Sequence, residues 1–184
     1  MVAQTIAARY QPVSGFPAGP EPSTELDAIL FVDNSPRSPR PLTLSAAGAD
    51  APAPLALEIS YQFDPGWRYL TVAPRRPLAI PAEAQAAIVW VRGNESGDLL
   101  RCRFHDATGQ AFQPDMGRLD WSGWRPLRIE FGPHSATPHW GGAGDGTPHL
   151  PLTWEALLLI DSARRGRSGP QSILVASPFY VLDR

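Results

Sequence analysis

The sequence predicts an all-β protein built as a sandwich of two antiparallel sheets. The 184 residues are enough for one domain with a hydrophobic core and too few for two comfortable ones. The 21 prolines and 16 glycines interrupt the chain every few residues, which leaves little room for long helices. Short apolar or alternating segments lie between these interruptions, and turn residues at such spacing are typical of a β-sandwich.

The clearest strand is predicted at 55–62, where every second residue is leucine, isoleucine or tyrosine. The aliphatic segments 153–160 and 172–182 predict the last two strands. Further strands are predicted at 26–32, 42–44, 67–72, 77–80, 86–92, 99–105, 110–113 and 127–131.

The chain divides into two parts of different composition. Residues 1–24 contain four prolines and two glycines, which predicts an extended arm or linker. Residues 25–184 are predicted to form the β-sandwich domain. A linker at one end suggests that the domain is joined to other domains of a longer chain.

Charge and cysteine content exclude several classes of function. The formal net charge of −2 offers no basic footprint for nucleic acid. Cys102 is the only cysteine, so neither an internal disulfide nor a cysteine-based zinc site is expected. No apolar run is long enough to span a bilayer, and the first ten residues lack the features of a signal peptide. Two interpretations remain open: a cytoplasmic protein, or an extracellular or cell-surface module of a larger protein.

The strands 86–92 and 99–105 are joined by the polar, glycine-bounded segment 93–98, which predicts a hairpin. If its valines, cysteine and phenylalanine face the core, the alternate side chains share the opposite face. Those side chains are Trp90, Arg92, Arg101, Arg103 and His105. An indole stacks on the apolar surface of a pyranose while planar polar groups bind its hydroxyls, so this face predicts a sugar site, particularly for an acidic sugar. The alternative is a solvated face with one tryptophan covered by a neighbouring loop.

The segment 132–151 is a second candidate because long irregular loops in compact domains are often functional. It is rich in glycine and contains Trp140, which at a loop tip could stack on a ligand. Its three histidines, His134, His139 and His149, lack the spacing of metal ligands, so no metal or other cofactor is expected here.

Three motifs resemble the galactose-binding-like jelly-roll domains of bacteria. They are the W-V-x-G-x-x-S-G pattern at 90–97, the D-x-x-G turn at 106–109 and the D-W-x-G-W-R pattern at 120–125. The resemblance covers about residues 55–182 and implies a jelly-roll β-sandwich. Such domains accompany polysaccharide-active enzymes, where many act as carbohydrate-binding modules. It also implies a buried framework role for Trp67, Trp121 and Trp124.

Many of these modules hold a structural calcium between acidic residues near both chain ends. Asp27 and Asp33 are the candidates for one end, but the last predicted strand contains no acidic residue. The resemblance therefore leaves calcium open.

Catalytic signatures are missing from the sequence. There is no G-x-S-x-G nucleophile elbow, and nothing singles out a pair of carboxylates for glycoside hydrolysis. The leading hypothesis is a non-catalytic module that binds an oligo- or polysaccharide and is accessory to a larger secreted or surface protein. The alternatives are a structural or protein-interaction spacer and, third, a small jelly-roll polysaccharide lyase or glycoside hydrolase.

Overall fold

The computed structural model describes residues 10–12, 26–32, 35–36, 42–63, 68–132, 137–161 and 169–182. These residues contain no helix, and none of them forms a helical segment that could cross a bilayer. The strands are β1 (Tyr10–Pro12), β2 (Leu26–Val32), β3 (Ser35–Pro36), β4 (Thr43–Ala46), β5 (Leu55–Tyr61), β6 (Arg68–Pro74), β7 (Leu78–Ile80), β8 (Ala84–Asn94), β9 (Leu99–His105), β10 (Ala111–Phe112), β11 (Asp115–Arg118), β12 (Ser122–Glu130), β13 (His139–Trp140), β14 (Leu152–Ile160) and β15 (Gln171–Leu182).

The strands form two antiparallel sheets, as predicted. The six-stranded sheet has the order β12-β8-β15-β5-β4, with β1 also paired to β15. The nine-stranded sheet has the order β13-β10-β9-β14-β6-β2-β3, with β11 paired to β9 and β7 to β14. Strand β1 lies within the segment predicted as an arm, and its three residues pair with Phe179–Val181.

The core lies between the two sheets and is built from the inward half of each alternating strand. Along β9 every second residue is buried, and the outward residues are half-buried. Phe104 from β9 packs at the centre, where it stacks on Phe112 and meets the edge of Phe131. Val89 and Val91 of β8 and Cys102 of β9 are fully buried in the same core, as the alternation predicts.

The predicted hairpin between 86–92 and 99–105 is wrong. Strand β8 belongs to the six-stranded sheet and β9 to the nine-stranded sheet, so the connection crosses between the sheets. The backbone of the connecting residues 95–98 makes hydrogen bonds to residues 119–121. Glu95 N donates to Trp121 O (3.1 Å), Gly97 N to Leu119 O (2.9 Å), and Leu119 N to Asp98 O (2.8 Å). A strand with one apolar face buries it equally well from either side of a sandwich, so alternation alone could not distinguish these arrangements.

Buried polar groups hold the crossing segment in place. Tyr61 Oη donates to Asp98 Oδ2 (2.8 Å), and Asn94 Nδ2 donates to Tyr61 Oη (2.9 Å). Burial is the main reason that the pKa of Tyr61 lies well above its ordinary value. Gly93 is required at the start of the crossing, because a Cβ there would lie 2.4 Å from the carbonyl oxygen of Trp121.

The second predicted turn, at 106–109, is present and joins β9 to β10 as an antiparallel pair. Asp106 closes it: its Oδ1 accepts from the backbone N of Thr108 (2.8 Å) and of Gln110 (2.9 Å). Its Oδ2 accepts from His149 N (3.2 Å), which ties the turn to the segment that follows Trp140.

Candidate functional site

The predicted sugar-binding side chains are divided between the two outer surfaces of the sandwich. Trp90 and Arg92 lie on the outer face of the six-stranded sheet, whereas Arg101, Arg103 and His105 lie on the outer face of the nine-stranded sheet. The prediction that all five share one face is therefore wrong, because it depended on the hairpin. The predicted alternation of buried and outward side chains is correct within β8 and within β9. The ligand-binding role of each residue stays a prediction.

The nine-stranded sheet gathers the larger set, which we call the arginine–tryptophan face: Arg101, Arg103, His105 and Trp140. Strand β13 carries Trp140 to the sheet edge, opposite Ala111, which in turn lies opposite His105. The guanidinium carbon of Arg103 lies 5.2 Å from the centre of the Trp140 ring, within cation–π range. Trp140 is still 46% exposed, so part of its indole is open to a ligand.

Arg103 is held in one orientation by two neighbours. Its Nε and Nη2 donate to Gln113 Oε1 (2.8 and 2.6 Å), and its Nη1 donates to Glu155 Oε1 (3.0 Å). A guanidinium bonded on two sides is pre-organised, so little rotamer entropy remains to be lost when a ligand binds. The fixed guanidinium in turn supports the Trp140 ring.

The other charges on this face are also paired. Arg101 Nε lies 2.5 Å from Asp115 Oδ1. His105 Nδ1 lies 3.2 Å from Glu155 Oε2, but this carboxylate oxygen is buried and has no hydrogen-bond partner in the described part of the chain. The contact is therefore not a hydrogen bond. Two arginines of this face are thus each paired with a carboxylate.

Several residues of this face were not predicted from the sequence. Gln113, Asp115 and Glu155 supply the arginine partners, and Tyr69 lies near Arg103, whose positive charge partly offsets the rise that burial causes in the Tyr69 pKa. The sequence contains one indication for Glu155: it is the only charged residue of β14, whose other residues apart from Thr153 are apolar. Gln113 and Asp115 carry no such signal.

The segment that follows Trp140 is fixed to the 106–109 turn through Gln110. This glutamine is fully buried; its Nε2 donates to Asp145 Oδ1 and to Thr147 O (both 3.3 Å), and its Oε1 accepts from Gly146 N (3.2 Å). Gly142 permits the close approach, since a Cβ there would lie 2.3 Å from Gln110 N. Trp140 is therefore attached to a segment anchored within the core.

Asp145 is a second anchor in this segment. It accepts from Thr147 N (2.9 Å), and its Oδ2 lies 2.9 Å from His149 Nε2. The bond from Thr147 is the main reason that the pKa of Asp145 is lowered to about 2. The carboxylate is consequently charged throughout the neutral range.

We expect Gln110→Ala to loosen Trp140. The substitution leaves the buried Gly146 N without its partner and removes the bonds to Asp145 and Thr147, which should lower the free energy of unfolding by about 1–3 kcal/mol. Acrylamide quenching of the Trp140 fluorescence, obtained as the difference from a Trp140→Phe protein, should increase. Gln62→Ala is the matched control, because Gln62 is exposed. Equal quenching in both variants would contradict the anchoring role.

No group of three possible metal ligands occurs among the residues that the structure describes. Of the three loop histidines, His139 contacts Thr137 O through Nδ1 (3.0 Å), His149 pairs with Asp145, and His134 lies outside the described residues. The calcium candidates Asp33 and the side chain of Asp27 also lie outside them.

The tryptophans differ in their surroundings. Trp121 is buried, as the resemblance implied, and its Nε1 donates to Gly123 O (3.1 Å). Trp124 lies on the outer face of the six-stranded sheet and packs against a small buried cluster, but it is only half-buried, so the expected full burial is wrong for this residue. Trp154 is a core residue, and Trp67 lies outside the described residues.

No protein-family model matches this sequence, and no curated protein matches it either. Solved structures do match it in fold. A family 11 carbohydrate-binding module from Clostridium thermocellum, in complex with a β-1,3-1,4-mixed-linked tetrasaccharide, aligns with a TM-score of 0.54 and 10% identity over 94% of this chain and 95% of that chain.

Two further structures agree with this match. The solution structure of CtCBM11 aligns with a TM-score of 0.52 and 11% identity over 96% of each chain. The family 11 module of the cellulosomal cellulase Lic26A-Cel5E of Clostridium thermocellum aligns with a TM-score of 0.51 and 10% identity over 95% of each chain. At such low identity the likeness shows the fold: the chain is a jelly-roll β-sandwich of the type found in carbohydrate-binding modules, which confirms the predicted fold class.

Proposed function

We propose that this chain is a non-catalytic module that binds a neutral oligo- or polysaccharide on the arginine–tryptophan face. The observation that carries the proposal is the exposed Trp140 ring supported by the fixed Arg103 guanidinium. A sugar ring stacks its C–H surface on the indole, while the neighbouring polar side chains bind its hydroxyls. The fold likeness to a module solved with a tetrasaccharide supports the same ligand class.

A neutral sugar is favoured over an acidic one by the charges on this face. Arg101 and Arg103 each have a carboxylate partner, so neither offers an unpaired cation. A ligand carboxylate would have to displace Asp115 or Glu155, or lie beside it, and like charges in contact are destabilising. The acidic sugar suggested by the sequence is therefore not our proposal for this face.

The register of the nine-stranded sheet suggests a chain ligand. Five residues of adjacent strands lie directly opposite one another and form a row across the sheet: Trp140, Ala111, His105, Thr153 and Ala79. Four strand spacings of about 4.8 Å give this row a length of about 19 Å. Ala111 is buried, whereas His105 and Thr153 are half-buried and Ala79 is exposed. The accessible part of the row therefore runs from His105 to Ala79, beside the exposed Trp140 ring.

Trp140→Ala tests the proposal. Affinity electrophoresis in gels containing mixed-linkage β-glucan or other neutral polysaccharides should show retardation of the wild-type protein, with a dissociation constant in the micromolar to millimolar range. The substitution should weaken binding by about tenfold or more, equal to ~1.4 kcal/mol. Leu150→Ala is the matched control, since Leu150 is the other large exposed apolar residue of the described chain, at 58%.

The possible outcomes separate the functional hypotheses. If the wild type binds no polysaccharide of the panel, the spacer hypothesis is favoured instead. If reducing ends or unsaturated products are released, the module is an enzyme and the non-catalytic role is wrong.

We also propose that the domain is accessory to a larger secreted or surface protein. The likeness to a module of a cellulosomal cellulase supports this role.

A further inference from the structure

The outer face of the six-stranded sheet carries a second cluster of planar side chains, Trp90, Arg92 and Trp124. Arg92 on β8 lies directly opposite Trp124 on β12, and Trp90 precedes Arg92 by two residues on the same face. Side chains in these relative positions are immediate neighbours on a sheet surface. We call the three residues the Trp90 cluster.

The two indoles lie on a floor of small side chains. Both pack against the buried residues Ala47, Ala56 and Ala176, and each remains partly exposed. Arg92 beside them is exposed. The Trp90 cluster is thus attached firmly to the sheet and is also accessible from outside.

Arg92 differs from the arginines of the opposite face because no carboxylate of the described residues is paired with it. No hydrogen bond or ion pair of its side chain occurs with the described residues. The acidic residue in register with it, Glu58, is two strands away across Leu174, or about 10 Å. Glu58 accepts hydrogen bonds from Ser45 and Ser60 instead.

We propose that the Trp90 cluster binds a carboxylate-bearing sugar, such as a uronic acid unit of an acidic polysaccharide. The guanidinium of Arg92 has the planar geometry that binds a carboxylate through two parallel hydrogen bonds. The flanking indoles offer apolar surface for the ring that carries this carboxylate. The site is separate from the arginine–tryptophan face and does not depend on the function proposed for it.

A sugar fits this surface better than an acidic peptide. An extended peptide binds a sheet by adding a strand at its edge, through backbone hydrogen bonds. The neighbouring strand β12 contains Pro126, which has no N–H, and the exposed Arg125 and Arg128, and both features disfavour strand addition. The Trp90 cluster instead consists of planar side chains on the face of the sheet, and such side chains suit a sugar ring.

Polygalacturonate is a suitable probe for this site, measured by affinity electrophoresis and by titration calorimetry at low and high salt. We expect wild-type binding that weakens with salt, and a loss of about tenfold or more in Arg92→Ala, or ~1.4 kcal/mol. Arg92→Lys should restore binding only in part, because an ammonium cannot form the two parallel bonds. Arg128→Ala is the matched control: this exposed arginine on the same face is paired with Glu130.

Four results would overturn the proposal. The first is no binding of polygalacturonate, and the second is an equal loss in Arg92→Ala and Arg128→Ala, which would indicate non-specific attraction. The third is loss of binding in Trp140→Ala, which would place the acidic ligand on the opposite face. The fourth is equal Arg92-dependent binding of poly-glutamate, which would indicate an acidic protein partner. Unchanged melting temperatures of the variants ensure that each loss reflects the site.

Discussion

Replacing Phe104 by alanine is expected to lower the free energy of unfolding by about 3–5 kcal/mol. The side chain is 1% exposed and lies between two other aromatic rings. Its ring centre is 5.2 Å from that of Phe112 in a stacked arrangement and 5.3 Å from that of Phe131 in an edge-on one. Each pair adds about 0.5–1.5 kcal/mol beyond the burial of apolar area, so truncation removes both contacts and leaves a cavity.

Urea denaturation monitored by circular dichroism measures this effect. Leu150→Ala should change the free energy of unfolding by no more than about 0.5 kcal/mol, because that leucine is exposed. Phe104→Leu should lower the free energy of unfolding by an amount between those of Phe104→Ala and Leu150→Ala, since leucine keeps most of the apolar volume. A loss below about 1 kcal/mol in Phe104→Ala would mean that the three rings do not form the centre of the core.

Asp106→Ala is the second substitution for which we expect a large effect. The carboxylate is 7% exposed and accepts from the backbone N and the Oγ1 of Thr108, from Gln110 N and from His149 N. Removing it leaves four donors without this acceptor, among them the buried Gln110 N, at a cost of about 3 kcal/mol. Asp106→Asn should lower the free energy of unfolding by less, because the amide oxygen still accepts hydrogen bonds. Some loss remains, since the amide NH₂ cannot accept the bonds made by the second carboxylate oxygen.

The pH dependence of stability provides an independent measurement on Asp106. Burial raises the pKa of this carboxyl, but the bonds from Thr108, Gln110 and His149 outweigh it, so the pKa lies below its ordinary value of 3.8. A carboxyl whose pKa is depressed by folding contributes stability that is present above pH ~3.8 and is lost as the pH falls through the lower, folded value. The free energy of unfolding should therefore fall less steeply with acid in Asp106→Asn than in the wild type. Identical acid slopes would contradict this role.

The sequence predicted what is local to each strand. Leu26–Val32 and Leu99–His105 have the bounds expected from alternation and turn residues, because burial of one face imposes a period of two. The very short strands β11 and β13 were not predicted, since four and two residues cannot display a period. They form because β9 and β10 offer free edges to pair with.

Partners across the sheets could not be predicted in the same way. The sequence indicated Arg103 and Trp140 as site residues, and the structure brings them together, yet it separates both from Trp90. Strands β8 and β9 join different sheets through their pairing with distant strands, and segment 93–98 between them bonds to residues 119–121. Single-sequence patterns carry no information on such pairings, and so the arginine partners Gln113 and Glu155 were also missed.

The crossing of the chain between β8 and β9 places the arginine–tryptophan face and the Trp90 cluster on opposite outer surfaces of the sandwich, whose two sheets pack about 10 Å apart. One stiff polymer chain cannot lie on both surfaces at once. If both proposed sites bind, the domain connects a neutral polysaccharide chain to an acidic polysaccharide chain. It then acts as a cross-linker in a mixture of the two polymers. Turbidity of such a mixture should then rise with added protein and fall again in excess, when every chain is saturated separately.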